Sequence, residues 1–187
     1  MGRTARFGKD EILVAAAREA ALGRGVTVQT LAVATGASVG SLYHRFDSFQ
    51  QLLAETWLHA VDEFQDSFLP ALRSAATAEQ GVEAALAVPR WSRTHLDLAG
   101  LLVQRSQSDF IGPDTPAQLR RRAVKLNADI SRALSDFAAR TGLEPLRCRV
   151  ALIGMPYGIV RMFLPATAPP PEIDPMIAVA YHALVKA

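Results

Sequence analysis

TVQTLAVATGASVGSLYHRFDSFQQLL, residues 27 to 53, reads as two short helices joined by a tight turn and running into the start of a third. Thr27 is placed to cap the first helix, whose inner face carries Leu31 and Ala34, and Gly36 offers the left-handed or close-packing position that a tight turn needs. Ser38 caps the second helix. Its outward residues, Val39, Gly40, Ser41, Tyr43 and His44, are small or polar, as suits a helix lying flat in a major groove, while Leu31, Leu42 and Phe46 belong to a core. Ser48 with Gln51 has the S-x-x-Q spacing of a capping box and opens the next helix.

Thr27, Leu31, Ala32, Gly36, Leu42, Tyr43 and Phe46 together resemble the N-terminal hallmark of the TetR family of transcriptional regulators, which runs from a threonine cap to Leu-Tyr-x-x-Phe. The resemblance covers roughly the first fifty-five residues; beyond them only helical pattern and length fit. It implies a helix-turn-helix DNA-binding domain over residues 1–47 and a helical ligand-binding and dimerisation domain over residues 48–187. By motif position Thr27 and Tyr43 contact phosphate, and Gln29, Val39, Gly40, Ser41 and His44 approach base edges, with Ser38 and Arg45 beside them. Gln29 suits adenine and Val39 a thymine methyl. Two departures stand out. Phe49 occupies a position where the family usually has a lysine, and Ala20 one where a larger apolar residue is common.

Charge agrees with a local DNA contact. Residues 1–46 hold Arg3, Arg6, Lys9, Arg18, Arg24 and Arg45 against Asp10, Glu11 and Glu19, a net +3, whereas the remainder carries −1 within a total of +2. A basic head on a near-neutral body fits phosphate contact at one end and not along the whole surface. Residues 1–8 read as an arm with two arginines.

Half of the 187 residues are apolar and aromatics are few, which favours aliphatic helix packing. Helices are expected over Asp10–Leu22, from Ser48 through Phe68 up to Pro70, over Ala78–Val88, over Pro89–Gln107 with Pro89 in its first turn, and from Pro116 to about Arg140. SDFIGPDTP, 108–116, reads as a loop. Pro145–Leu164 follows, bent at Pro156, then a stiff Pro-rich linker over 165–175 and a last helix over Met176–Lys186. The fold class is therefore all-α, with about nine helices.

The last two long helices carry apolar residues on more than one face, and Val150, Ile153, Val160, Phe163, Ile177 and Leu184 are the expected homodimer contact. The family resemblance further implies an effector pocket in the body, for which Trp57, Trp91, His95, Leu98, Leu102, Phe110, Met155, Tyr157 and Met162 supply apolar walls with a few polar handles. They suit a small hydrophobic or aromatic molecule that releases the repressor from a palindromic double-stranded operator.

Enzyme chemistry finds no support. His44, His59, His95 and His182 lie far apart, no His/Cys/carboxylate cluster has metal spacing, and neither G-x-S-x-G nor a glycine-rich phosphate loop occurs, so no catalytic residue, metal or cofactor is expected. The single Cys148 fits a reducing cytoplasm, and no run reaches the roughly 18 apolar residues of a membrane span. The rival to a regulator is a helical protein-interaction module that has lost sequence-specific DNA binding, a reading that Phe49 and the low net charge raise.

Overall fold

The computed structural model describes residues 8–23 and 25–186. The arm arginines Arg3 and Arg6, and Arg24, lie outside the described residues. Among those described, every regular element is helical: α1 Lys9–Ala21, α2 Val28–Thr35, α3 Val39–Arg45, α4 Phe49–Ser74, α5 Val82–Thr94, α6 Leu96–Gln104, α7 Ala117–Thr141, α8 Pro145–Arg149, α9 Met155–Val160 and α10 Ile173–Lys186. A π-helical turn, Val150–Gly154, joins α8 to α9 in one continuous rod, so the ten segments form nine rods.

The chain packs as two units. The first is Met1–Val61 with Asp97–Ala123, and the second Asp62–Leu96 with Val124–Ala187. In the first, Ile12, Leu13 and Ala16 of α1, Leu31 of α2, Leu42 and Phe46 at α3 and Leu52 of α4 form one buried cluster. Leu52 belongs to this cluster, so the packing of the three-helix head runs past residue 47. Ala20 is buried, and the Arg105 guanidinium donates to its carbonyl at 3.0 Å, tying the end of α1 to the residues after α6. Arg18 holds Asp97 through its Nε and Nη2, at 3.1 and 2.8 Å.

In the second unit α5 packs against α9 and α10. Arg93 grips Asp174 of α10 through both terminal nitrogens at 2.6 to 3.0 Å, with about a fifth of each side chain exposed. Arg93→Ala leaves that carboxylate with only Arg90, whose Nε is 3.7 Å away. Losing one partner of a fully buried pair costs about 3–5 kcal/mol; with this much solvent screening the expectation is about 2 kcal/mol. Thermal unfolding should then show a midpoint lower by about 4–8 °C, and an unchanged midpoint would remove the pair from the account of stability. The Arg140 guanidinium of α7 donates to the Leu72 and Ala75 carbonyls, satisfying acceptors left free at the end of α4. Cys148 is buried against Leu134, and burial pushes its thiol up to about 11, the behaviour of an inert core cysteine.

Prolines account for most differences from the expected boundaries. Pro70 lies inside α4, which continues to Ser74 and at about 1.5 Å per residue measures about 39 Å. Pro89 lies inside α5, not at a first turn; Val88, Pro89 and Trp91 are all buried there, and packing outweighs the one lost hydrogen bond. The break comes instead at His95, whose backbone N–H closes back on the Trp91 carbonyl at 2.9 Å. Pro156 is the second residue after the π-helical turn, whose wider winding accommodates a ring that would clash four residues back, at Leu152. Pro175 falls in the first turn of α10, where its missing N–H costs little, so that helix begins at Ile173 and not at Met176. Within 108–116 the segment opens on a short 3₁₀ turn, Gln107–Asp109.

Candidate nucleic-acid interface

Each short helix of the head is closed by groups supplied from its own sequence. Thr27 Oγ1 accepts the Thr30 N–H at 3.1 Å, and the Thr27 N–H donates to Thr30 Oγ1 at 3.0 Å. This reciprocal cap satisfies two groups at the start of α2. Thr30 is a residue that the sequence reading misses, although its place three residues after Thr27 is the signal for it. At the other end Gly36 takes φ +65°, the left-handed conformation that side chains resist. Ser38 Oγ then accepts the Ser41 N–H at 3.1 Å and starts α3.

One inward assignment is corrected. Ala34 is exposed, and Thr35 takes the buried position, its hydroxyl satisfied by donation to the Leu31 carbonyl at 2.6 Å. A threonine hidden in this way looks polar in sequence yet packs as a small apolar residue.

On α3 Leu42 points inward, with Phe46 buried just beyond its end, and Val39, Gly40, Tyr43 and His44 are exposed. Tyr43 keeps 51 % of its surface, so its phenol stands out from the head. Thr27, Gln29 and Ser38 are exposed as well, and Ser41 and Arg45 are half-buried. These two are joined, Arg45 Nη1 donating to the Ser41 hydroxyl at 2.5 Å and to its carbonyl at 3.2 Å. The nine residues expected at DNA thus share one stretch from the start of α2 to the end of α3, with seven of them exposed. Val33, 86 % exposed on α2, stands outside that set and carries no sequence signal beyond its apolar character.

The head is braced on α4. Ser48 Oγ accepts the Gln51 N–H at 3.0 Å, while the Gln51 amide turns forward to Glu55 at 2.9 Å. Glu55 also pairs with Lys9 at the start of α1, and that ammonium lies 5.5 Å from the centre of the Phe46 ring. Phe49 is half-buried as the first residue of α4. An apolar ring there offers no charge to phosphate.

The residues expected to line an effector pocket divide between the units. Trp57, Leu98, Leu102 and Phe110 lie in the first, where the Trp57 and Phe110 rings pack with centroids 5.7 Å apart. Trp91, His95, Met155, Tyr157 and Met162 lie in the second, and Met162 is 78 % exposed. A cleft of about 210 Å³ in the first unit includes Phe110, with Val26, Leu53 and Arg105. One of about 370 Å³ in the second is lined by Ser131, Leu134, Ser135, Glu144, Pro145, Leu146 and Arg149. Among the expected dimer residues, Val160 and Ile177 are buried and so belong to the core of their own unit; Ile153, Phe163 and Leu184 are half-buried and Val150 exposed. A rod that is apolar all round gives no phase in sequence, which is why the expected set mixes inward and outward faces.

Among the described residues no helix is long and apolar enough to cross a membrane, and no group of three or more His, Cys, Asp and Glu is placed to hold a metal ion. No protein-family model and no curated protein matches this chain. Solved structures do. The TetR family transcriptional regulator PfmR from Thermus thermophilus superposes with a TM-score of 0.74 at 20% identity over 97% of either chain. A TetR family transcription regulator from Marinobacter aquaeolei gives 0.70 at 19% identity, covering 95% of this chain and 93% of that one. A putative TetR family transcription regulator from a Shewanella species gives 0.67 at 21% over 96% of each. From the capped head to the last helix, the fold of this chain is the fold of the TetR family transcriptional regulators.

Proposed function

We propose that the chain is a DNA-binding transcriptional regulator, a homodimeric repressor that leaves a palindromic operator when a small hydrophobic or aromatic effector binds. The observation that carries the reading is α3 itself: Leu42 and Phe46 are locked in the core while Val39, Gly40, Tyr43 and His44 stand exposed together on a helix fixed by its own caps. A short helix with small outward residues fits the major groove, and the exposed Tyr43 phenol serves a phosphate.

Tyr43→Ala and Gln29→Ala separate the two kinds of contact. Removing the Tyr43 phenol should weaken binding about tenfold on operator and unrelated duplex alike, because a phosphate contact reads no sequence. Removing Gln29 should relax preference at one base pair, worth about 1–3 kcal/mol, and leave nonspecific binding alone. Binding titrations on both duplexes decide it, and two variants indistinguishable from the parent would defeat the assignment.

A helix of this length reads only a few base pairs, so two copies are needed to define a site. The surface that best supports pairing is a stripe on the second unit. Leu146, Val150, Gly154 and Gly158 lie exposed at four-residue spacing along the α8–α9 rod, and Met176, Val179 and Ala183 lie exposed along α10. Large apolar side chains beside glycines give a face that a second copy can approach closely. Effector and operator oppose one another in this reading, and by linkage a compound that weakens operator binding binds the DNA complex less tightly by the same factor.

A further inference from the structure

Four rings gather in the second unit. Phe64 and Phe68 stack with centroids 5.4 Å apart, the Trp91 indole meets Phe64 edge-on at 5.4 Å, and the His95 imidazole lies nearly parallel to the indole at 5.2 Å. Trp91 is 95 % buried, being 5 % exposed, yet its Nε1–H has no hydrogen-bond acceptor among the described residues. Buried polar groups are rarely left so, and an orphaned donor marks a place where a missing acceptor belongs. The neighbouring polar groups are already committed. The Nδ1 of His95 is 2.8 Å from the Thr94 hydroxyl and 3.2 Å from the Trp91 carbonyl, and its Nε2 is 3.8 Å from Glu63. Phe64 and His95 are partly exposed, so the indole lies one ring in from solvent.

Charge narrows the acceptor. Arg93, two residues along α5, is held by Asp174, and Arg90 by Glu83 and Asp174, so neither guanidinium is free to balance a buried carboxylate. A neutral oxygen fits. We propose that Trp91 Nε1 is the donor of a binding site for an uncharged, largely aromatic or aliphatic molecule bearing one carbonyl oxygen, beside the Phe64 and His95 rings that pack on the indole. This rests on the effector response proposed above and names the chemistry of the effector.

Benzylacetone, a phenyl ketone, and butylbenzene, a hydrocarbon of similar shape, test it on the full chain labelled with nitrogen-15 at its tryptophans. Titration with the ketone should move the Trp91 indole N–H resonance, identified by its loss in Trp91→Phe, downfield while leaving that of Trp57 in place. The ketone should bind about tenfold more tightly than the hydrocarbon, the worth of one buried hydrogen bond, and Trp91→Phe should bring the two within about twofold. Because the resonance shift is read in the unmutated protein, it stands even if a variant folds poorly. Equal affinity for both probes, no binding of either, or a Trp91 resonance that stays fixed and shows exchange with a bound water overturns the proposal. Ketone binding that shifts Trp91 but leaves the operator complex intact supports the site and removes the effector response; operator release by compounds that never move this resonance overturns the site alone.

Discussion

Gly81→Ala is expected to lower the thermal midpoint of unfolding by about 5–10 °C, corresponding to about 2–3 kcal/mol of overpacking in a protein of this size. In an unconstrained helix the same change would raise stability, since alanine is the better helix former by roughly 1 kcal/mol. Here a methyl group would land far inside van der Waals contact distance of the Tyr181 hydroxyl and 2.6 Å from Phe137 Cζ. Neither ring can give way cheaply. Both are fully buried, and the Tyr181 hydroxyl donates to the Ala78 carbonyl at 2.7 Å, a bond that ties the middle of α10 to the turn before α5. Tyr181→Phe in the Gly81→Ala background removes the nearer obstacle, so recovery should be partial, with the Phe137 clash and the loss of one of the two hydrogen bonds to the Ala78 carbonyl, which keeps the Gly81 N–H at 3.2 Å, accounting for the rest. Gly112→Ala is the control, because nothing lies within 4 Å of a Cβ built there and its φ is not positive. A Gly81→Ala protein as stable as its parent would show that α5 and α10 are not packed as described.

Met176→Glu combined with Val179→Glu should turn a dimer into a monomer and lower operator affinity at least about a hundredfold while leaving the fold intact. Both side chains project from α10, exposed to 66 % and 71 %, so two carboxylates cost the isolated chain little. Facing the same pair across a two-fold axis they would place like charges in a desolvated contact, at a cost of several kcal/mol. Each head would then bind alone, and the gain from tethering two half-site contacts would vanish. Sedimentation at micromolar concentration with a parallel operator titration reads both effects. A double variant that remains a dimer would move the interface elsewhere on the chain.

The head is legible because its instructions are local. Thr27, Gly36 and Ser38 each act on groups within three residues, so spacing alone places the caps, and in the fold each makes the interaction its position implies. The body follows a different logic. Pro70, Pro89 and Pro175 read as punctuation, yet all three lie within helices, because burial of the neighbouring turns or a first-turn position offsets one missing N–H. Ala34 and Thr35 show the same limit at smaller scale: polarity points Thr35 outward, and a hydroxyl bonded to Leu31 allows it in. Faces of the last two rods cannot be phased from sequence, so Val160 and Ile177 fall among the outward residues when both serve the core of their unit. Nothing in the order of residues announces the unpaired Trp91 indole, which arises only once Phe64 and His95 pack against it.

On this reading the exposed residues of α2 and α3 read sequence in a paired molecule. Selection of bound duplexes from a library of random DNA by the purified full chain, carried out at moderate salt so that nonspecific phosphate contacts do not dominate, tests it most directly. Enrichment of an inverted repeat is expected, its half-sites changing together at one base pair when Gln29→Ala is used instead. Flat enrichment, with duplexes retained only in proportion to low salt, would contradict it and favour a helical interaction module that keeps the fold without the reading.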